Sequence, residues 1–138
     1  DLAQKHVKKS EYNYGVVQAL ERLGNYDWAF NVGFYTIYHC FLAILAKHGY
    51  ESRNQACTIT ILHTLIKDKK LDLDKDLVTQ FDTLDVEKNI TNPTVRERRE
   101  LFTYGVETSI NLQQLKKIKE LILKVQRETI RILGENKK

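Results

Sequence analysis

A chain of 138 residues has room for one domain built around one hydrophobic core. Apolar residues make up 42% of it and charged residues 29%, which excludes an intrinsically disordered chain and suits a globular one. The net charge of +4 permits a polyanionic partner such as RNA but does not require one.

The first predicted helix covers residues 2–23. Lysine and glutamate side chains indicate its solvent-exposed face. Gly24, which tolerates the left-handed backbone conformation common just after a helix, is expected to end it. Apolar residues at three- and four-residue spacings give the helix one side to bury: Val7, Tyr14, Val17 and Leu20.

A second helix is predicted from its expected N-cap, Asp27, to about His48, with Gly49 just beyond its end. Residues 28–46 contain no Asp, Glu, Lys or Arg, and this length is close to the roughly 20 residues that span a bilayer. The stretch includes polar residues, among them His39, and no second stretch of this kind follows. We therefore expect a helix enclosed by a bundle and no membrane association.

Three further helices are predicted, at residues 55–67, 75–84 and 111–133. Ser52 and Asn54 are alternative caps for the first of them. A loop at residues 87–94 and a basic helical segment at 95–104 lie between the last two. Since no segment alternates with period two, we predict one all-α domain, an antiparallel bundle of four or five helices over residues 1–138. The apolar positions of the third helix are Ala56, Ile59, Leu62, Leu65 and Ile66.

Both cysteines, Cys40 and Cys57, lie in apolar runs, so we expect them to be reduced and buried. This cysteine usage favours a cytoplasmic protein. The sequence has no Gly-rich phosphate loop, no Cys-x-x-Cys pair and no His-Glu-x-x-His helix. Cys57 and His63 are six residues apart, which does not place them on one face of a helix. We therefore expect neither a metal nor a cofactor.

The segment at residues 95–105 is the most informative for function. Arg96 and Arg99 share a helix face, and Arg98 and Tyr104 lie close by in sequence. Guanidinium groups beside a phenol are suited to holding phosphate oxygens. A solvated face of mixed charge is the more common arrangement for such a helix, and that alternative stays open.

Three blocks together resemble the HEPN family of helical domains. Residues 35–45 (YTIYHCFLAIL) are similar to the family's second helix, in which aromatics and a His precede an apolar run. Residues 47–54 (KHGYESRN) resemble the turn and polar start of its third helix, and residues 98–105 (RRELFTYG) resemble its late arginine-plus-tyrosine segment. Their order and spacing cover nearly the whole chain, and the resemblance implies a HEPN-like bundle.

The resemblance implies two kinds of function. Many HEPN proteins are metal-independent endoribonucleases with an Arg-x4–6-His motif completed across a dimer, but here Tyr104 stands where the His would follow Arg99. Other members bind RNA or nucleotide, or pair with a minimal nucleotidyltransferase in a toxin–antitoxin system. In such a system Tyr104 would be the adenylylation target.

The leading hypothesis is a homodimeric HEPN domain that binds RNA or nucleotide through Arg96, Arg98 and Arg99, with a nucleotidyltransferase partner. A divergent endoribonuclease using Arg99 with Tyr104 or His39 is the second hypothesis, and a helical dimerisation or docking scaffold is the third. His39 shares a face with Tyr35 and Leu42, where we expect a hydrogen-bonded core residue, the alternatives being a position in a dimer seam or one facing the arginines.

Overall fold

The computed structural model describes residues 1–84 and 110–134. Within these ranges the chain forms five helices and no strand, so the all-α prediction is confirmed there. The predicted loop at 87–94 and the basic segment at 95–104 lie outside the described residues. The helices are α1 (Leu2–Arg22), α2 (Tyr26–Lys47), α3 (Gln55–Lys67), α4 (Lys75–Leu84) and α5 (Leu112–Gly134).

Local signals in the sequence set most of the helix ends. Gly24 (φ 79°) and Gly49 (φ 84°) follow α1 and α2 in the left-handed conformation that favours glycine, as predicted. Of the two candidate caps for α3, Asn54 is the one used, because its side-chain oxygen accepts the Cys57 amide at 2.8 Å. At α1, the Asp1 carboxylate accepts the Ala3 amide at 2.8 Å.

The start of α2 corrects the sequence prediction. The helix begins at Tyr26 with Asn25 in the cap position, and the Asn25 side chain makes no capping hydrogen bond. Asp27 therefore lies inside the first turn, where its negative charge is favourable beside the helix N-terminus, and is not the cap.

Helix α2 is the core of the fold. Ile37, Phe41 and Ile44 have no exposed surface, since α1, α4 and α5 pack around them. Among the described residues, α2 is the one helix long and apolar enough to cross a membrane, but 61% of its most apolar window is buried inside the bundle. This burial agrees with the prediction of an enclosed core helix.

Helix α5 runs antiparallel to α1. Gln126 Nε2 donates to Ser10 Oγ at 3.0 Å, and Lys119 Nζ donates to Glu21 Oε1 at 2.5 Å. Residue numbers therefore increase along α1 in the direction in which they decrease along α5. Helices α1 and α2 are also antiparallel, because only residues 23–25 connect them.

Helices α2 and α5 are parallel to each other, whereas a fully antiparallel bundle was predicted. Gly33 on α2 lies against Ile118 on α5, and Lys47 near the end of α2 donates to the Ile132 carbonyl near the end of α5. Two helices that are each antiparallel to α1 must be parallel to each other. The predicted antiparallel packing therefore holds for α1 with each neighbour but not for α2 with α5.

Helices α3 and α4 cover the other side of α2. The Phe81 ring of α4 stacks on Phe34 at 4.6 Å between centroids and meets Phe41 edge-on at 5.1 Å. On α3, the predicted apolar positions Ile59, Leu62 and Leu65 are buried. Ala56 is exposed, contrary to prediction, whereas Thr58 in the same first turn is buried.

The two cysteines have different environments. Cys40 of α2 is buried, as predicted, but Cys57 in the first turn of α3 is exposed. The apolar run around Cys57 therefore wrongly predicted that this side chain, near the N-terminus of α3, is buried.

Candidate functional site

His39 is the predicted site residue that the structure describes. It lies on α2, half-buried, on the side facing α1. The other predicted site residues, Arg96, Arg98, Arg99 and Tyr104, lie outside the described residues. The described part of the site is therefore built around His39.

His39 pairs with a second histidine, His6 of α1. The two Nδ1 atoms are 3.0 Å apart, and the ring centroids are 5.2 Å apart with the planes inclined by 31°. At this distance one ring donates an N–H and the other accepts it with a lone pair, because two protonated nitrogens would repel. The contact thus needs one proton between the two Nδ1 atoms.

The surroundings keep both rings neutral. Burial lowers the pKa of His6 below its usual 6.5 and, as the largest cause, also lowers that of His39. Positive charge from His6 and from Lys9 lowers the His39 pKa further. At neutral pH the pair therefore carries unprotonated lone pairs on a half-buried surface.

Aromatic rings continue from the histidine pair toward the core. The Tyr38 ring lies 6.4 Å from that of His39 and is nearly parallel to Phe81, also at 6.4 Å. Tyr35 meets Tyr38 edge-on at 6.5 Å. The His39 ring therefore has the Tyr38 ring beside it on α2, and His6 and Lys9 near it on α1.

The exposed side of α1 next to this pair is basic. Lys5, Lys8, Lys9 and Tyr12 are all exposed. Lys5 lies three and four residues before Lys8 and Lys9, which in turn lie four and three residues before Tyr12, so the four share one face. We call this group the α1 lysine face. Lys9 Nζ lies 5.3 Å from the centre of the Tyr12 ring, and Tyr12 has 68% of its surface exposed. None of the three lysines is ion-paired with a described acid.

Beneath the surface, Cys40 belongs to a buried polar network. Its Sγ lies 3.1 Å from Ser10 Oγ, which in turn accepts from Gln126. Burial raises the pKa of the Cys40 thiol to about 11, although hydrogen bonds with Ser10 and Thr129 act in the opposite direction. Cys40 is thus protonated at neutral pH and is not a nucleophile.

A second basic region lies where α2, α3 and α5 end, around a cleft of about 200 Å³. Two cations near it donate to backbone carbonyls: Lys47 to Ile132 O, and Arg131 to Asp72 O at 2.6 Å. Positive side chains at helix C-termini stabilise the unpaired carbonyls there. These two contacts hold the helix ends together, whereas Lys69 and Lys70, which also line the cleft, are exposed.

His6 was missed by sequence reasoning. The signal was present, because helices joined by a tight turn at Gly24 pair residues at similar distances on either side of that turn. His6 lies 18 positions before Gly24 and His39 lies 15 after it. The two histidines come into contact only because the register of the α1–α2 hairpin places them opposite each other.

No protein-family model matches this chain, and no curated protein matches it either. In the part of the chain that the structure describes, no set of three or more His, Cys, Asp or Glu side chains is placed to hold a metal ion.

Proposed function

We propose that this chain is a helical domain that binds RNA or a nucleotide. The observation that carries the proposal is the α1 lysine face, where three lysines without ion pairs to described acids flank an exposed tyrosine ring. Phosphate oxygens would accept from the lysines, and a base would stack on Tyr12. A duplex offers no unstacked base to Tyr12, so single-stranded RNA is the preferred macromolecular ligand.

The order of sequence blocks and the all-helical bundle support a HEPN-type domain. On this proposal, Arg96, Arg98 and Arg99 are further phosphate contacts, and the domain acts as a cytoplasmic homodimer. A minimal nucleotidyltransferase would be its partner in a toxin–antitoxin-like system, with Tyr104 as the adenylylated residue.

The decisive experiment measures binding of a fluorescently labelled single-stranded RNA by anisotropy at several salt concentrations. The Lys5→Gln, Lys8→Gln and Lys9→Gln triple variant is expected to bind at least tenfold more weakly. Its log–log salt dependence should also become shallower by about 1 to 2, at about 0.7 per lost phosphate contact.

A control variant with the same net charge separates a site from bulk charge. Lys116, Lys117 and Lys124 are exposed on α5, and their triple Gln variant should bind nearly as well as the parent chain. If both triple variants lost the same amount of RNA affinity, net charge alone would explain the loss. That result would overturn the α1 lysine face as the binding site.

The HEPN-derived contacts need a separate variant. Changing Arg96, Arg98 and Arg99 to Gln should weaken RNA binding if these residues contact phosphate. RNA binding that neither the arginine variant nor the lysine variant alters would leave the third hypothesis, a dimerisation or docking scaffold.

The second candidate function is a divergent metal-independent endoribonuclease, which the state of His39 favours. A half-buried imidazole kept neutral by its surroundings can accept the proton of a ribose 2′-hydroxyl at neutral pH. Arg99 would then stabilise the charge that develops on the phosphate. RNA cleavage that persists in EDTA and is lost in both His39→Gln and Arg99→Ala would support this function. RNA that stays intact with the parent chain would exclude it.

The nucleotidyltransferase hypothesis is tested by mass spectrometry. The chain is incubated with ATP and a minimal nucleotidyltransferase encoded beside it. Addition of adenylate to Tyr104, absent from a Tyr104→Phe variant, supports the pairing. An unmodified Tyr104 contradicts it.

A further inference from the structure

The His6–His39 pair has the geometry of a chelating site. Its two Nδ1 atoms lie 3.0 Å apart and belong to different helices, α1 and α2, whose packing sets the spacing. Both rings are half-buried, so their edges remain within reach of a small solute. We propose that His6 and His39 together bind a divalent late transition-metal ion, Cu²⁺ or Ni²⁺. This goes beyond RNA or nucleotide binding.

The spacing of the two nitrogens places both within reach of one metal ion. With metal–nitrogen bonds of about 2.0 Å, two ligands at right angles are about 2.8 Å apart, and two at the tetrahedral angle are about 3.3 Å apart. The observed 3.0 Å, which is the hydrogen-bond length of the metal-free pair, lies between these values, so small ring rotations allow either angle. Square-planar and tetragonal sites with nitrogen ligands are typical of Cu²⁺ and Ni²⁺.

Proton balance also permits the ion to bind. In the metal-free pair one Nδ1 carries a hydrogen and the other a lone pair. When the metal binds, the hydrogen moves through solvent from Nδ1 to Nε2 of the same ring, so both rings stay neutral and no net proton is released. Each ring then turns about its Cβ–Cγ bond, a soft torsion, to aim its Nδ1 lone pair at the ion.

Among the described residues, the rest of the coordination shell is open. Since no third His, Cys, Asp or Glu joins the pair among the described residues, water or an added ligand would complete it. The Lys9 ammonium group lies near enough to affect His39 and repels a cation, which weakens the site. An ion with high intrinsic affinity for imidazole is therefore required, which favours Cu²⁺ and Ni²⁺ over Mg²⁺ or Ca²⁺.

The test uses tag-free chain with Cys57→Ser, because the exposed thiol would itself bind or reduce the metal. Titration with Ni²⁺ by calorimetry, and with Cu²⁺ by electron paramagnetic resonance, should give one equivalent with two nitrogen ligands. His6→Ala and His39→Ala should each weaken binding at least tenfold, and His63→Ala should leave it unchanged. Circular dichroism of each variant confirms that it is folded.

A second readout covers the case in which a histidine variant folds poorly. Saturating Ni²⁺ should raise the Tm of the parent chain, since the ion binds the folded pair more tightly than the unfolded chain. His6→Gln keeps much of the shape and polarity of the ring but should abolish the shift. Binding that survives in His6→Gln, or that His63→Ala removes equally, would overturn the site.

Discussion

Gly33 of α2 faces Ile118 of α5 with no side chain between them, and a Cβ built on the glycine would lie 3.3 Å from Ile118 Cδ1. Ile122 Cδ1 lies at the same distance. A larger residue at position 33 would force both isoleucines or the helices themselves to move. The close packing of the two parallel helices therefore depends on this glycine.

Gly33→Val is expected to destabilise the fold by about 2 kcal/mol or more, because overpacking at this contact outweighs the better helix propensity of valine. Urea unfolding followed by circular dichroism measures the change in the free energy of unfolding. The matched control is Gly15→Val on α1, where an added Cβ meets nothing within 4 Å and stability should change little. Equal effects at the two positions would contradict the role of Gly33.

Two asparagines in N-cap positions provide a second comparison. Asn54 accepts the Cys57 amide, whereas the Asn25 side chain makes no capping bond. Asn54→Ala should therefore lower the free energy of unfolding by about 1 kcal/mol, and Asn25→Ala by much less. Chemical denaturation of the two variants checks the difference. A larger loss at Asn25 would show that the cap hydrogen bond is not what stabilises the start of α3.

The His6–His39 contact predicts sensitivity to acid. The pKa of each ring is lowered in the folded chain, so the unfolded chain binds more protons once the pH falls below about 6.5. Stability should thus be constant above neutral pH, decline as the pH falls below about 6.5, and level off below the folded pKa values. Urea unfolding of EDTA-treated protein at several pH values measures this decline.

Variants assign the acid sensitivity to the pair. A His6→Gln, His39→Gln double variant should show a flatter pH profile, whereas His63→Gln should keep the parent's decline. An unchanged decline in the double variant would place the responsible groups elsewhere.

The two thiols should differ in reactivity. Iodoacetamide at mildly alkaline pH is expected to modify the exposed Cys57 and to leave Cys40 intact, because Cys40 is buried and its pKa is raised to about 11. Peptide mass spectrometry identifies the modified residue. In denaturant both cysteines should react. Rapid modification of Cys40 in the folded chain would contradict the buried network around Ser10.

Much of the fold follows from local signals. Positive-φ glycines at positions 24 and 49 and the Asn54 cap placed the helix ends, because these effects act within one turn of the chain. The errors concern properties that depend on neighbours in space. Asn25 and not Asp27 occupies the N-cap position of α2, and Cys57 is exposed although the next residue, Thr58, is buried.

The candidate site was less predictable than the fold. Sequence patterns selected His39, but its partner His6 lies 33 positions away and depends on how α1 and α2 are aligned. The alternative of a buried core histidine was half right, since His39 is hydrogen-bonded but only half-buried. The sequence indicated only that the α1 lysine face is exposed to solvent, because whether its lysines pair with acids of the described residues depends on the folded surface.

The parallel pairing of α2 with α5 has a consequence for biosynthesis. Lys47 of α2 meets Ile132 of α5 across 85 positions, and at roughly 5–20 residues per second the ribosome needs about 4–17 s to make that stretch. Throughout that interval the apolar side of α2 is without its final cover. The bundle can therefore close around α2 only after α5 has been synthesised.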